Sequence, residues 1–255
     1  MTPRFSIVTC TWNSASWLQT SIDSVLMQDN QDFEYIFVDG ASSDGTLEII
    51  RAVPRPYRLL QGVTGGISRA MNAGLCASTG EIVAYLHSDD YYLNPSVLST
   101  VVQHMEDDAG WLFGRTMTDL DGELVPEDYV APRFCYSQLL RGNFIPHPAT
   151  FVRRELMLRV GGFDEGLKYA MDYDLWLKIA PLAQPIQLDL PLVAFREHAG
   201  SLSTSNRLAA MEEDLQVRLE HAGTGSLPKL LHTARYHVRR LRAIRAQHAS
   251  GGLRQ

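Results

Sequence analysis

Cysteine is scarce in this sequence: three in 255 residues, at Cys10, Cys76 and Cys135, scattered and odd in number. They form neither a metal-ligand spacing nor a disulfide framework, which fits a reducing cytosol. No apolar run approaches the ~18–20 residues that cross a bilayer. The opening MTPRFSIVTC passes at once into a strand pattern, which predicts no signal peptide and a cytoplasmic chain. Charge is unevenly spread along the chain. Residues 226–255 hold seven Lys/Arg and no Asp/Glu, while the first 225 hold 16 basic against 29 acidic side chains, a balance of −13. An acidic body excludes nucleic-acid binding as the main task. The basic tail calls for a separate explanation.

What is present is an ordinary globular balance, 45% apolar and 20% charged, in a chain long enough for a full core. Apolar runs at Phe5–Cys10, Tyr35–Val38, Tyr57–Leu60 and Glu81–Leu86 read as strands. Between them, helical spacing follows Asn13-Ser14 (Trp17, Leu18, Ile22, Val25, Leu26) and covers Thr46–Arg51 and Ile67–Ala77. Alternating β and α units predict an α/β fold: a doubly wound, mostly parallel sheet, whose ligands sit beyond the carboxyl ends of the strands. After Pro95 the pattern changes. Trp111–Arg115 and Ala149–Val152 read as strands, Asp121-Gly122 as a hairpin turn, Tyr173–Ala180 as an amphipathic helix, and Val193–Arg196 closes the body. The expected division is a body over 1–205, its halves at 1–95 and 96–205, followed by a helical basic tail over 206–255.

Three clusters carry chemistry. Tyr85-Leu86-His87-Ser88-Asp89-Asp90 puts two carboxylates just past an apolar strand. Hard cations such as Mg²⁺ and Mn²⁺ take one or two carboxylates plus substrate phosphates, so this is a candidate metal site; a capped turn before Asn94-Pro95 explains it as well. VDGASSDGT at Val38–Thr46 offers Asp39 to a base or ribose, or is a plain strand-to-helix turn. In MDYDLWL, Asp172 and Asp174 open a helix. Either one is a candidate general base, and the helix dipole alone also accounts for both.

The order of the motifs is more specific than any one of them. FSIVTCTWN, IFVDGASSDGT, GISRAMNAG, STGEIVAYLHSDD, HPATFVRRE, VGGFDE, MDYDLWLK and FREHAGSLS follow one another over roughly residues 4–203. In this the chain resembles the GT-A-fold, family-2 glycosyltransferases of bacterial polysaccharide assembly. The resemblance implies a divalent metal, Mn²⁺ or Mg²⁺, at Asp89, with Asp90 supporting it and His198 reaching the metal or diphosphate. His87 and Ser88 occupy the rest of the DxD-type motif. Thr9, Trp12 and Asn13 fall where the family holds the nucleotide, and Asp39 at its base-recognition turn. Asn72 falls on a helix facing the donor, with Arg69 as a phosphate partner. Asp172 matches the family's catalytic base.

The activity so implied is inverting transfer of a sugar from a nucleotide-diphosphate donor, UDP foremost, to a hydroxyl of a glycan or lipid-linked glycan, in surface glycan synthesis. A sugar nucleotidyltransferase is the first rival, but the loop TWNSASW lacks the basic, glycine-rich character of that class. A non-catalytic sugar-nucleotide-binding subunit is the second, and the retained Asp89, Asp90 and Asp172 argue against it. In the tail, Leu227, Leu231, Ala234, Val238 and Leu241 form a helical seam with Ile244 beside it, amid Lys229, Arg235, Arg239, Arg240, Arg242 and Arg245. The seam either packs on the body or on a second copy in a homodimer, or it lies over 226–248 on the anionic inner face of the membrane.

Overall fold

In a computed structural model, residues 2–105, 109–127, 129–198, 206–223 and 225–251 are described, with backbone alone for 244 and 246–251. The first half alternates as its hydrophobic pattern dictates. Strand β1 (Phe5–Thr11) leads to helix α1 (Leu18–Leu26), β2 (Phe33–Asp39) to α2 (Thr46–Arg51), β3 (Tyr57–Gln61) to α3 (Ile67–Ala77), and then β4 (Ile82–Tyr85) follows. The second half holds β5 (Tyr91–Tyr92), α4 (Val97–His104), β6 (Trp111–Leu120), β7 (Glu123–Pro126), α5 (Tyr136–Leu139), β8 (Thr150–Arg153), α6 (Arg154–Arg159), α7 (Met171–Ile179) and β9 (Pro185–Arg196). Two helices end the chain, α8 (Arg207–His221) and α9 (Ser226–Gly251).

All these strands join one sheet in the order β3-β2-β1-β4-β8-β6-β9-β5, with β7 hairpinned onto β6. The first four are parallel. The remainder is mixed: β8 runs antiparallel to β4 and β6, while β6 and β9 are parallel. Every residue of β1 is buried, because helices cover both faces of the sheet. One apolar layer gathers α1 and α4 residues such as Leu18, Ile22 and Leu98. The other gathers α3 and α7 residues such as Met71, Leu75 and Trp176. Trp176 stacks on Trp111 with ring centroids 5.6 Å apart. Gly74 lets α3 lie directly on β1, since a Cβ there would meet Val8 at 2.4 Å.

Four expectations change. Asn13-Ser14 does not cap a helix: Asn13 sits at φ +50°, a turn follows, and α1 begins at Leu18. The strand expected at Val193–Arg196 is the end of a twelve-residue strand, whose first half is masked in sequence by Pro185, Gln187 and Asp189. The helix α8 was not distinguished from the tail, and it is no free appendage. Val217 is fully buried in the core, and Glu213 accepts hydrogen bonds from the backbone N–H groups of Lys168, Tyr169 and Ala170 just ahead of α7. The boundary expected near residue 205 and the motif residues 199–203 lie outside the described residues.

The fourth change is in α9. Its apolar seam does not pack on the body. Leu227, Leu231, Val238 and Leu241 are 65%, 49%, 49% and 55% exposed, whereas His232, Tyr236 and Ala243 form the buried face. The Ile244 side chain lies outside the described residues. No helix among the described residues is long and apolar enough to cross a membrane.

Candidate active site

The parallel strands end together, and their C-terminal loops build the nucleotide side of the site. Past β1, Trp12 stands 70% exposed. Asn13 links this loop to the one after β2: its backbone N–H donates to Ser42 Oγ (2.9 Å), and its Oδ1 accepts from Ser43 N–H (2.9 Å). Asp39 is buried and accepts from Thr11 Oγ1 (3.0 Å) and from Ser42 through both hydroxyl and backbone (2.5 and 2.9 Å). Asp44 accepts from the backbones of Ala15 and Thr46 (3.0 Å each) and starts α2. The two loops are therefore one hydrogen-bonded rim, with the Trp12 indole as its open surface.

Two residues read as donor contacts are spent inside the protein. Thr9 is fully buried and donates to the Leu86 carbonyl (2.7 Å), tying β1 to the end of β4. Asn72 donates to the Phe163 carbonyl (2.9 Å) and to Glu165 (3.1 Å), and its Oδ1 accepts from Phe163 N–H (2.9 Å). Its amide is a strut between α3 and the Gly161-Gly162-Phe163 turn. Arg69, one helical turn earlier, is exposed beside Gly65, which has φ +107°.

The loop after β4 carries His87 to Asp90. Ser88 donates to Ser14 Oγ (2.8 Å), closing this loop onto the β1 rim. The carboxylate of Asp89 lies 3.1 Å from His198 Nε2, and both side chains remain partly open. His198 is brought there by β9. Arg196, two residues earlier, is held by Asp119 (3.2 Å), and its backbone N–H donates to Asp90 Oδ1 (3.3 Å). Asp90 is thus buried beneath the loop, where desolvation and the neighbouring Asp89 charge push its pKa well above the usual carboxylate range. Among the described residues no three His, Cys, Asp or Glu side chains converge on one point. A carboxylate beside an imidazole still suits a divalent cation whose other positions are filled by diphosphate oxygens and water.

The sequence reading gave no role to His147, which stacks on His87 with centroids 5.2 Å apart and an interplanar angle of 14°. Burial lowers the pKa of both rings; the His87 ring lowers that of His147 further, while the Asp89 charge partly offsets the effect at His87. The HPAT motif was the available signal for it.

Helix α7 reaches this site through Trp176, whose ring centroid lies 5.9 Å from that of His147. Asp172 accepts from Asn143 Nδ2 (3.1 Å) and from Tyr173 N–H (2.7 Å), with no cation paired to it among the described residues. Burial, with help from the nearby Asp214 charge, raises its pKa to about 7. Asp174 differs. Burial pushes it up, but His221 (2.9 Å) and Lys178 (2.6 Å) outweigh that and hold it below its ordinary value. One acid is poised to exchange a proton near neutrality; the other is an ion-paired anchor for α8.

A doubly wound sheet carries an acid–imidazole pair at its strand ends, and α7 carries a carboxyl with no cation partner among the described residues. The Glycosyl transferase family 2 profile matches residues 6–148, more than half of the chain, which therefore belongs to that family of glycosyltransferases. The chain is 30% identical over 188 residues to chondroitin synthase of Pasteurella multocida, covering 71% of itself but only 19% of that enzyme. It is 26% identical over 200 residues to an uncharacterised glycosyltransferase of Mycobacterium tuberculosis, covering 76% and 75% of the two chains. Its GT-A fold is shared with Staphylococcus aureus TarS in complex with UDP-GlcNAc: TM-score 0.71, 22% identity, 90% of this chain and 69% of the other. A Pyrobaculum calidifontis mannosyltransferase in complex with GDP-Man and Mn²⁺ aligns over 100% of this chain and 76% of its own (TM-score 0.67, 21% identity).

Proposed function

We propose that this glycosyltransferase moves a sugar, with inversion, from a nucleoside-diphosphate donor to a hydroxyl of a glycan or lipid-linked glycan in surface glycan synthesis. The observation that carries this reading is Asp172: a carboxyl with no cation paired to it among the described residues, its pKa raised to about 7, on α7, whose Trp176 packs on His147 and through it on His87 of the loop after β4. In the reaction the acceptor oxygen bonds to the anomeric carbon as the bond to the diphosphate oxygen breaks. Asp172 takes the acceptor's proton, and the nucleoside diphosphate leaves. A carboxyl with a pKa near the working pH suits this task, since enough of it is ionised and it still binds the proton usefully. One carboxylate suffices, because no covalent glycosyl-enzyme forms. Asn143 orients Asp172, and Glu213 fixes the backbone ahead of it.

Asp89 and His198 would hold Mn²⁺ or Mg²⁺, which when bound neutralises charge on the departing diphosphate. The exposed Trp12 supplies a stacking face for the base. UDP is the first donor to test, in line with TarS, and GDP the second, in line with the mannosyltransferase. The test is calorimetric titration of UDP- and GDP-sugars with Mn²⁺ or Mg²⁺. Asp89→Ala is expected to abolish metal-dependent donor binding while the thermal midpoint of the free protein stays put. Unchanged donor affinity in the presence of metal would overturn the assignment.

The exposed seam of α9 supports placing the enzyme on an anionic membrane surface, where a lipid-linked acceptor resides. Pairing two copies through that seam would bring arginine rows together with no Asp or Glu in 226–255 to offset them.

A further inference from the structure

Between α8 and α9 lies a cavity of about 430 Å³. Its walls carry four guanidinium groups, from Arg207, Arg218, Arg239 and Arg242, and a single carboxylate, Asp214. Arg218 is almost wholly buried. It donates to the Asp214 backbone carbonyl (3.0 Å), approaches the Asp214 carboxylate (3.5 Å) and reaches the Arg141 carbonyl (3.4 Å). Arg239 donates to that same carbonyl at 3.3 Å. Among the described residues, Arg207, Arg239 and Arg242 have no carboxylate partner. The chain is acidic overall, yet here it gathers four cations around a hollow against one carboxylate. Guanidinium groups are the side chains best matched to phosphate, through forked and charge-assisted hydrogen bonds.

The location is as informative as the composition. The Arg141 carbonyl that Arg218 and Arg239 share is two residues from Asn143, which holds Asp172. Tyr173, next to Asp172, feels the charges of Arg218, Asp214 and Arg239. The cavity therefore adjoins the base and is built wholly from the C-terminal helices, apart from the strand ends that receive the nucleotide.

We propose that this cavity is an acceptor subsite that takes a phosphate or diphosphate group, holding a phosphorylated acceptor with its hydroxyl toward Asp172. The subsite deepens the transferase reading and rests on it for the word acceptor. The anion chemistry stands separately. A lipid diphosphate and a soluble phosphorylated glycan share that chemistry.

The test uses the full chain with EDTA present and inorganic pyrophosphate as the probe. Wild type and Asp89→Ala are expected to bind pyrophosphate alike. Arg207→Gln/Arg242→Gln, which changes two exposed side chains, is expected to weaken binding at least tenfold with the thermal midpoint of the free protein unchanged. Equal binding by the double variant and wild type, or loss in Asp89→Ala alone, would overturn the proposal. With a short-chain alkyl diphosphate as a second probe, tighter binding than pyrophosphate assigns the subsite to a lipid-linked acceptor. Equal binding assigns it to a soluble one. In turnover assays the double variant should raise KM at least tenfold for a phosphate-bearing acceptor and leave kcat, and the KM of its phosphate-free analogue, unchanged. An equal rise for both acceptors would contradict the subsite. Absence of turnover with every donor would count against the transferase reading, and the pyrophosphate result would still judge the cavity.

Discussion

Asp172 and Asp174 lie two residues apart in the first turn of α7, and their surroundings give them opposite chemistry. Folding raises the pKa of Asp172 to about 7, against an unfolded value near 4. Between those values the native state holds a proton that the unfolded chain has released. This group therefore favours folding at acid pH and loses that contribution as pH rises through 7. The catalytically useful, ionised form grows over the same interval. The expected outcome is an acid limb in kcat with unit slope and a midpoint near pH 7, and donor affinity flat across it. A limb at pH 4–5 would mean that another carboxyl is the base. In MDYDLWL the residue types and spacing leave the two acids equal and only the family resemblance singles out Asp172, because the distinguishing partners come from far away: Asn143 lies 29 residues from Asp172, and His221 lies 47 from Asp174. The internal hydrogen bonds of Thr9 to Leu86 and of Asn72 to Phe163 are likewise long-range, and no local pattern reveals them.

At the level of elements, α3 spans Ile67–Ala77, the range its periodicity predicts, because amphipathic spacing and glycine boundaries agree there. In α9 the periodicity gave the helix and not its orientation. An apolar stripe is ordinarily the docked face. Here the docked face is His232, Tyr236 and Ala243, the last two lining the arginine-rich cavity, and the stripe of Leu227, Leu231, Val238 and Leu241 faces outward. Apolar side chains flanked by arginines fit an anionic interface, with each nearby basic residue worth about 1 kcal/mol at low salt. In liposome flotation the full chain is expected to rise with anionic vesicles at low salt and to be released at high salt. A chain ending at Gly225 should stay behind. Equal flotation of the two would exclude the helix as the membrane contact.

For the whole molecule, the parallel half of the sheet was legible because βα units encode themselves in local sequence. The mixed half was less so. β9 pairs with β6 across more than 60 residues and absorbs a register shift near Arg115, so its first half reads as irregular chain. The same topology gives the site its two sides. The loops of β1, β2 and β4 carry the proposed donor groups, and α7, braced by Glu213 from α8, carries the proposed base. The most direct test compares Asp172→Asn and Asp174→Asn for donor affinity and for turnover, at saturating donor and pH 8. The account predicts that Asp172→Asn keeps its donor Kd and thermal midpoint but loses about 10²–10⁴-fold in kcat. It predicts that Asp174→Asn lowers stability with a smaller loss of kcat. A near-normal kcat for Asp172→Asn, with Asp174→Asn the crippled enzyme, would contradict it.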